Sequence, residues 1–362
     1  MHLHLIRTAL ATAALCANFS AAAHESDGKL GSVHFKVSCN AEAQREFDLA
    51  MAYYHSFAWE QIRAPLERAL AADATCGMTH WARALASLDN PFVWPGNVSA
   101  KTLAEGEALM GQARKAGLAT QRERDYVDAL AVFFQDADKL NHRTRAKALE
   151  TGLEKVATAY PEDSEAAILY ALVLSANFDP ADKQYGNQLR AAKLLEPIFA
   201  RQPEHPGAAH YLIHSYDYPP LATQGLPAAQ RYSKIAPAAS HAQHMPSHIF
   251  TRVGAGNDAV AANKVSAQVD TASGPTSLHA YDYLTYIPSG EERITLNNLQ
   301  DSAEQPFAPK IANSYSTQAV FSPRGDQIAY TSFVLDTNTS KLLVQGLSES
   351  YPRELGLSLI HI

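Results

Sequence analysis

Two stretches decide the fold, Gly207-Ala-Ala-His-Tyr-Leu-Ile-His-Ser-Tyr-Asp217 and, further along, His241-Ala-Gln-His-Met-Pro-Ser-His-Ile-Phe250. Each alternates apolar and polar positions at a period near 3.6 rather than 2, so each reads as an amphipathic helix. Each is followed by a short break and a second helical segment, Leu226 to Ile235 and Asp258 to Ala272. The same alternation runs outward from this centre. Ala41 to Tyr54 pairs with Trp59 to Ala71, with small or apolar residues at Ala50, Tyr53, Ile62, Leu66 and Ala69. Met78 to Leu88 pairs with Ala100 to Ala116, Arg122 to Gln135 with Arg143 to Tyr160, and Ser164 to Ala176 with Gln188 to Arg201. An unpaired helix, Leu278 to Ile287, closes the series. The expectation is an all-α domain over residues 31–287 built from stacked helix pairs.

The period of about 34 residues, with small residues where paired helices touch and Phe250, Gly254, Ala259 and Ser266 at the aromatic, turn and small positions, resembles the tetratricopeptide repeat (TPR). That resemblance implies a right-handed helical solenoid whose first helices line a concave, partner-binding face. At the level of motifs, the two opening stretches, together with Val37-Ser-Cys39, His55-Ser-Phe57 and Cys76-Gly-Met-Thr-His-Trp81, resemble a family of exported bacterial TPR-like proteins. The family brings no established activity with it. Residues 288–356 change character. Ala319-Val-Phe-Ser-Pro-Arg-Gly-Asp-Gln-Ile-Ala-Tyr-Thr-Ser332 resembles the blade motif of WD40-like (TolB-type) β-propellers, with Arg324 where Asp is usual. Strands are expected around Ile328 to Tyr330 and Lys341 to Gln345. A propeller needs at least four blades, so this reads as a truncated β segment.

Both ends read as processing or cloning sequence. Residues 1–23, with one Arg, an apolar run from Thr8 to Leu15 and Ala21-Ala22-Ala23, have the layout of a secretory signal peptide. The last six residues, 357–362, match one frame of a transposon mosaic-end adapter and read as a scar, so the natural chain is expected to continue past Gly356. Export implies a periplasmic or secreted location, and there the remaining cysteines, Cys39 and Cys76, are expected to pair. The net charge of −7 and the absence of a Lys/Arg run argue against nucleic acid as a partner, and no apolar run is long enough to span a bilayer.

The chain holds 15 histidines against 3 cysteines, and the histidines are arranged. His210 and His214 are four apart, as are His244 and His248, and the two pairs are offset by one repeat length, in the same register of consecutive units. On a helix, positions i and i+4 share a face. Asp217 and His241 extend that face, and His279 and Asp282 lie close to the same register one unit later. On a solenoid, such side chains line one concave patch, spaced about 10 Å from unit to unit. Two readings follow. The first is a non-enzymatic scaffold that binds a peptide or protein on that face. The second is a metal-binding protein or metal-dependent enzyme with a divalent transition-metal centre on the same face, Zn or Cu, using His210, His214, Asp217, His241, His244, His248, His279 and Asp282, because neutral imidazoles beside carboxylates suit those ions. Pro246 leaves the second pair open to two outcomes. Within a continuous helix it removes an amide donor; if instead the helix begins at Pro246, the His244–His248 pairing is expected to fail. No catalytic residue is assigned, since phosphate loops, nucleophile elbows and reactive-cysteine arrangements are missing from the sequence.

Overall fold

The computed structural model describes residues 30–269 and, beyond them, the strand segments given below. The described chain is mostly helical. Helices α1 (Ala41–His55), α2 (Arg63–Ala72), α3 (Gly77–Ala86), α4 (Ala100–Ala116), α5 (Gln121–Phe134), α6 (His142–Ala159), α7 (Ser164–Ala176), α8 (Gly186–Arg201), α9 (Pro206–Tyr216) and α10 (Ala222–Ile235) follow the expected pairs. α11 (Ser240–His244), α12 (Pro246–Arg252) and α13 (Gly256–Val269) complete the described helices. Each helix packs against the next, α1 on α2, α3 on α4 and so on. Local signals explain most of the boundaries. Asn40, Ser99 and Asn141 accept from the amides of Ala43, Thr102 and Thr144, and Thr120 with Glu123 forms a full capping box. α2 starts later than the sequence pattern indicates, at Arg63 rather than Trp59. Proline lacks an amide proton and fits only the first turn without breaking the ladder, so Pro65 sets that start.

One continuous core runs through the helical region, from Phe35, Phe47 and Trp81 at one end to Tyr232, Met245 and Ile249 at the other. Trp81 is fully buried and donates through its indole N–H to the carbonyl of Tyr126, a packing role. Besides neighbour packing, the end of α1 lies directly against α9. Gly207 makes that approach possible, because a Cβ there would sit 2.6 Å from His55 Nδ1. Gly225 does the same between α10 and α12, where a Cβ would sit 2.7 Å from Ile249 Cδ1. Cys39 and Cys76 are joined by a disulfide that ties the segment before α1 to the start of α3. Closing a loop with a sequence separation of 37 stabilises the fold by about 3–4 kcal/mol on the chain-entropy account.

Beyond the helices, β1 (Thr295–Asn297) and β2 (Glu304–Pro306) form an antiparallel pair. β3 (Ser314–Phe321), β4 (Gln327–Val334), β5 (Thr339–Gly346) and β6 (Arg353–Glu354) form a four-stranded antiparallel sheet in sequence order. The two strands expected from the sequence are β4 and β5, and Ile328 and Leu343 are buried. The Ser322-Pro-Arg-Gly325 turn and the expected helix Leu278 to Ile287 lie outside the described residues, as do residues 1–23 and 357–362. No helix among the described residues is long and apolar enough to cross a membrane.

Candidate metal centre

Five histidines meet where α9, α11 and α12 come together. His210 and His214 stand on successive turns of α9, as the four-residue spacing requires. His241 and His244 belong to α11, and His248 to α12. Pro246 does begin α12, yet the pairing survives: Met245, with φ −54° and ψ −35°, keeps the chain on a helical path across the junction. His244 Nε2 and His248 Nε2 are 2.9 Å apart. The helix thus breaks in its hydrogen bonding, where proline has no N–H to give, without breaking in direction.

The units also come closer than the spacing expected of stacked helices. His210 Nε2 lies 3.1 Å from His241 Nε2 of the next unit and 3.1 Å from His214 Nε2 of its own. One ring nitrogen from each of His210, His214 and His241 falls within 4.8 Å of the other two, and His244 and His248 do not join that set. Nor is the face an open groove: His210 and His244 are fully buried, and His214, His241 and His248 are partly buried.

The outer nitrogens are anchored. His210 Nδ1 donates to the carbonyl of His55 at 2.7 Å, and His248 Nδ1 donates to Asp217 Oδ2 at 2.7 Å. His244 Nδ1 donates to Asn263 Oδ1 at 2.6 Å, an orientation set by Asn263 Nδ2, which donates to the carbonyl of Ala259. Each of these bonds fixes a ring tautomer and turns Nε2 inward, the arrangement that metal-ligating histidines use. Asp217 therefore acts behind His248; its other oxygen accepts from Arg252 Nε at 2.9 Å. Burial alone would raise the Asp217 carboxyl, but the hydrogen bonds and charges of His248 and Arg252 outweigh it and hold the group ionised. Of the remaining sequence candidates, His279 and Asp282 lie outside the described residues.

Burial pushes His210 down to about 3, against the pull of its bond to the His55 carbonyl, and holds His214 well below the ordinary histidine value. Both are neutral at pH 7. With its proton on Nδ1, His210 points a single lone pair at two nitrogens, each 3.1 Å away. One N–H satisfies one lone pair, so the two neighbouring nitrogens compete for the single lone pair of His210. A cation at the centre satisfies all three. A tetrahedral ion with metal–nitrogen distances of about 2.0–2.1 Å spaces its nitrogens about 3.3 Å apart, close to what is observed here.

Several contributors have no spacing that places them at the centre, although Phe57 belongs to the His55-Ser-Phe57 motif. Phe57, at φ 50° in the left-handed region, lays its ring against His210 at 4.4 Å and stacks on His241 at 5.2 Å. Backbone strain of this kind costs of order 1–3 kcal/mol and persists where surrounding packing enforces it. Phe92, in the 3₁₀ turn Pro91–Val93, stacks on His214 at 4.0 Å, and Tyr232 stacks on His210 at 5.1 Å. Beneath them, Glu165 of α7 accepts from His55 Nε2 and from His205 Nε2, both at 2.9 Å. His55 Nδ1 meets the Tyr211 hydroxyl at 3.0 Å, and His205 Nδ1 accepts from the amide of Ala208. Every ring nitrogen of this fully buried trio is spoken for, which makes it a structural clamp between α1, α7 and α9. His55, with its ring in the clamp, gives the centre only its carbonyl.

No family model, no curated relative and no solved structure matches the chain.

Proposed function

We propose that the protein binds a divalent transition metal, Zn or Cu, through His210, His214 and His241. The observation that carries this reading is the convergence of three imidazole nitrogens on a point where His210, its other nitrogen committed to the His55 carbonyl, has one lone pair for two neighbours. The donor set is all nitrogen, which suits those two ions over Mg or Ca. Phe57, Phe92 and Tyr232 wall the site and strengthen its electrostatics by excluding water. We read the frame as a TPR-like right-handed solenoid of an exported, periplasmic or secreted protein. The shared register of the histidine pairs and the sequential helix packing support the first part, and the Cys39–Cys76 disulfide supports the second.

The scaffold reading, in which a peptide or protein is held, is favoured by a different place from the histidine face. An open cleft of about 1000 Å³ runs between α5 and α6, lined by Asp125, Asp128, Arg143, Lys147 and Lys155. A peptide there would meet both signs of charge along an apolar floor.

The metal reading is tested on chelator-stripped full-length protein by thermal melting with added Zn or Cu. A ligand at about 100 times its Kd stabilises by about 2.7 kcal/mol, a rise of roughly 5–10 °C in Tm for a domain of this size. His210→Ala removes the rise. A Tm indifferent to both metals would overturn the reading.

A further inference from the structure

We infer that the cleft between α5 and α6 takes an acidic partner: an amphipathic helix of another protein whose apolar face lies on the cleft floor and whose carboxylates meet Arg143 and Lys155. The inference rests on the reading of that cleft as a peptide site and adds to it the chemistry of the occupant. α5 lends Asp125, Asp128, Ala129 and Val132, steps of three and four that form one straight stripe, and α6 lends its own stripe from Thr144 to Ala159. At 1.5 Å per residue the α6 stripe is about 22 Å long, or about four turns. Within the cleft the two helices come nearly to backbone contact, since a Cβ on Gly152 would lie 2.9 Å from Ala129 Cα. Small residues, Ala129, Ala148 and Gly152, therefore make a shallow floor, and the longer side chains stand off it as walls. A groove of that length and floor seats a third helix, the helix-in-groove mode of recognition.

Charge selects the occupant. Both carboxylates in the α5 wall are already answered: Asp128 Oδ1 accepts from Arg114 Nη2 at 2.8 Å, and Asp125 accepts from Gln121 Nε2 through one oxygen and from the Tyr160 hydroxyl through the other, each at 2.7 Å. Lys147 is paired with Glu150. Arg143 and Lys155, both exposed, have no hydrogen bond and no ion pair among the described residues. The charge left unanswered along the cleft is therefore positive, at two points about 18 Å apart along α6. A partner helix laid beside α6 answers both with Asp or Glu residues about three turns apart. A nucleic-acid backbone, charged at every step, would also meet Asp125 and Asp128, whereas separate carboxylates reach the two cations alone. Complementary charge of this kind fixes partner choice and register, and the apolar floor supplies the affinity.

The probe is a random peptide library displayed on phage, each peptide about 16 residues long so that it spans the cleft as a helix, selected on the full-length protein. Synthetic copies of the enriched peptides are then titrated by fluorescence anisotropy against the parent, against Arg143→Glu combined with Lys155→Glu, and against Thr151→Trp, which fills the cleft from an exposed position. The expected peptides are rich in Asp and Glu. They lose about tenfold in affinity with the double charge reversal, weaken as salt is raised, and fail to bind Thr151→Trp. Neutral or basic peptides that Thr151→Trp nonetheless abolishes overturn the acidic occupant and leave the cleft as a peptide site. Acidic peptides indifferent to the double reversal overturn it in the same way. Peptides indifferent to Thr151→Trp, or no enrichment at all, remove both the occupant and the cleft reading. Melting temperatures are compared alongside; where a variant melts early, the charge and salt dependence of the peptides enriched on the parent decide the sign.

Discussion

Replacing Glu165 with alanine is expected to destabilise the fold by about 3–5 kcal/mol and to weaken metal binding roughly 10–100-fold, although Glu165 touches none of the five histidines at the centre. Its carboxylate receives two buried imidazole N–H groups, from His55 and His205. Burial by itself would push Glu165 up, but those two imidazoles hold it well below the usual carboxylate range. Alanine leaves both donors without an acceptor in a dry interior, the situation in which removing one partner costs most. The effect on metal follows from connectivity. The ring of His55 is fixed by Glu165, and the carbonyl of the same residue orients His210. Glu165→Gln keeps the shape and one acceptor oxygen, so it should recover part of both losses. Urea unfolding and metal titration of the two variants provide the check. A change below about 1 kcal/mol in Glu165→Ala would show that the clamp does not hold α1 to α9.

Mild acid is expected to unfold the metal-free protein steeply, and the sign comes from His210. Its folded value, about 3, lies below an unfolded value of about 6.5, so the unfolded chain binds the extra proton first. Stability is complete above about pH 6.5 and declines as the pH falls from there toward 3. The slope is about 1.4 kcal/mol per pH unit from this residue alone. His214, depressed by burial first and then by His210, His248 and His244, adds loss in the same direction. Glu165 and Asp217, both depressed carboxylates, withdraw stability only below about pH 4.5, where the unfolded carboxylate takes up its proton. Between about pH 6.5 and 5 the loss therefore comes from the histidines and not from these two carboxylates. Urea midpoints measured across that range should shift markedly for the parent, and His210→Gln should flatten the dependence by about one proton. An equal slope in both proteins would mean that His210 is not held neutral. Bound metal competes with these protons, so loading should move the acid transition to lower pH.

Much of the helical frame can be read from the sequence because it rests on local rules. Ser164–Ala176 and Ala100–Ala116 are helices over the full spans that periodicity indicates. The two histidine pairs are visible for the same reason: a step of four positions is close to one helical turn, and the offset between the pairs is one repeating unit. What the sequence hides is non-local. Glu165 joins His55 across 110 positions, and the carbonyl of His55 meets His210 across 155, with no pattern to announce either. Phe57 and Phe92 come from connections rather than helices, and their place over the imidazoles depends on α1 packing against α9, which Gly207 permits. The spacing expected between units fails because it takes each unit's side chains to stay on their own helix. His241 instead precedes the Pro246 junction and reaches back to His210.

The central claim is that three imidazoles of consecutive units share one ion, and an anomalous difference map tests it most directly. Crystals of the protein grown with Zn or Cu, with data collected on either side of that metal's absorption edge, should show a peak about 2.0–2.1 Å from the Nε2 atoms of His210, His214 and His241. The same rings with His210 still bonded to the His55 carbonyl, and no anomalous peak between them at saturating metal, would contradict it.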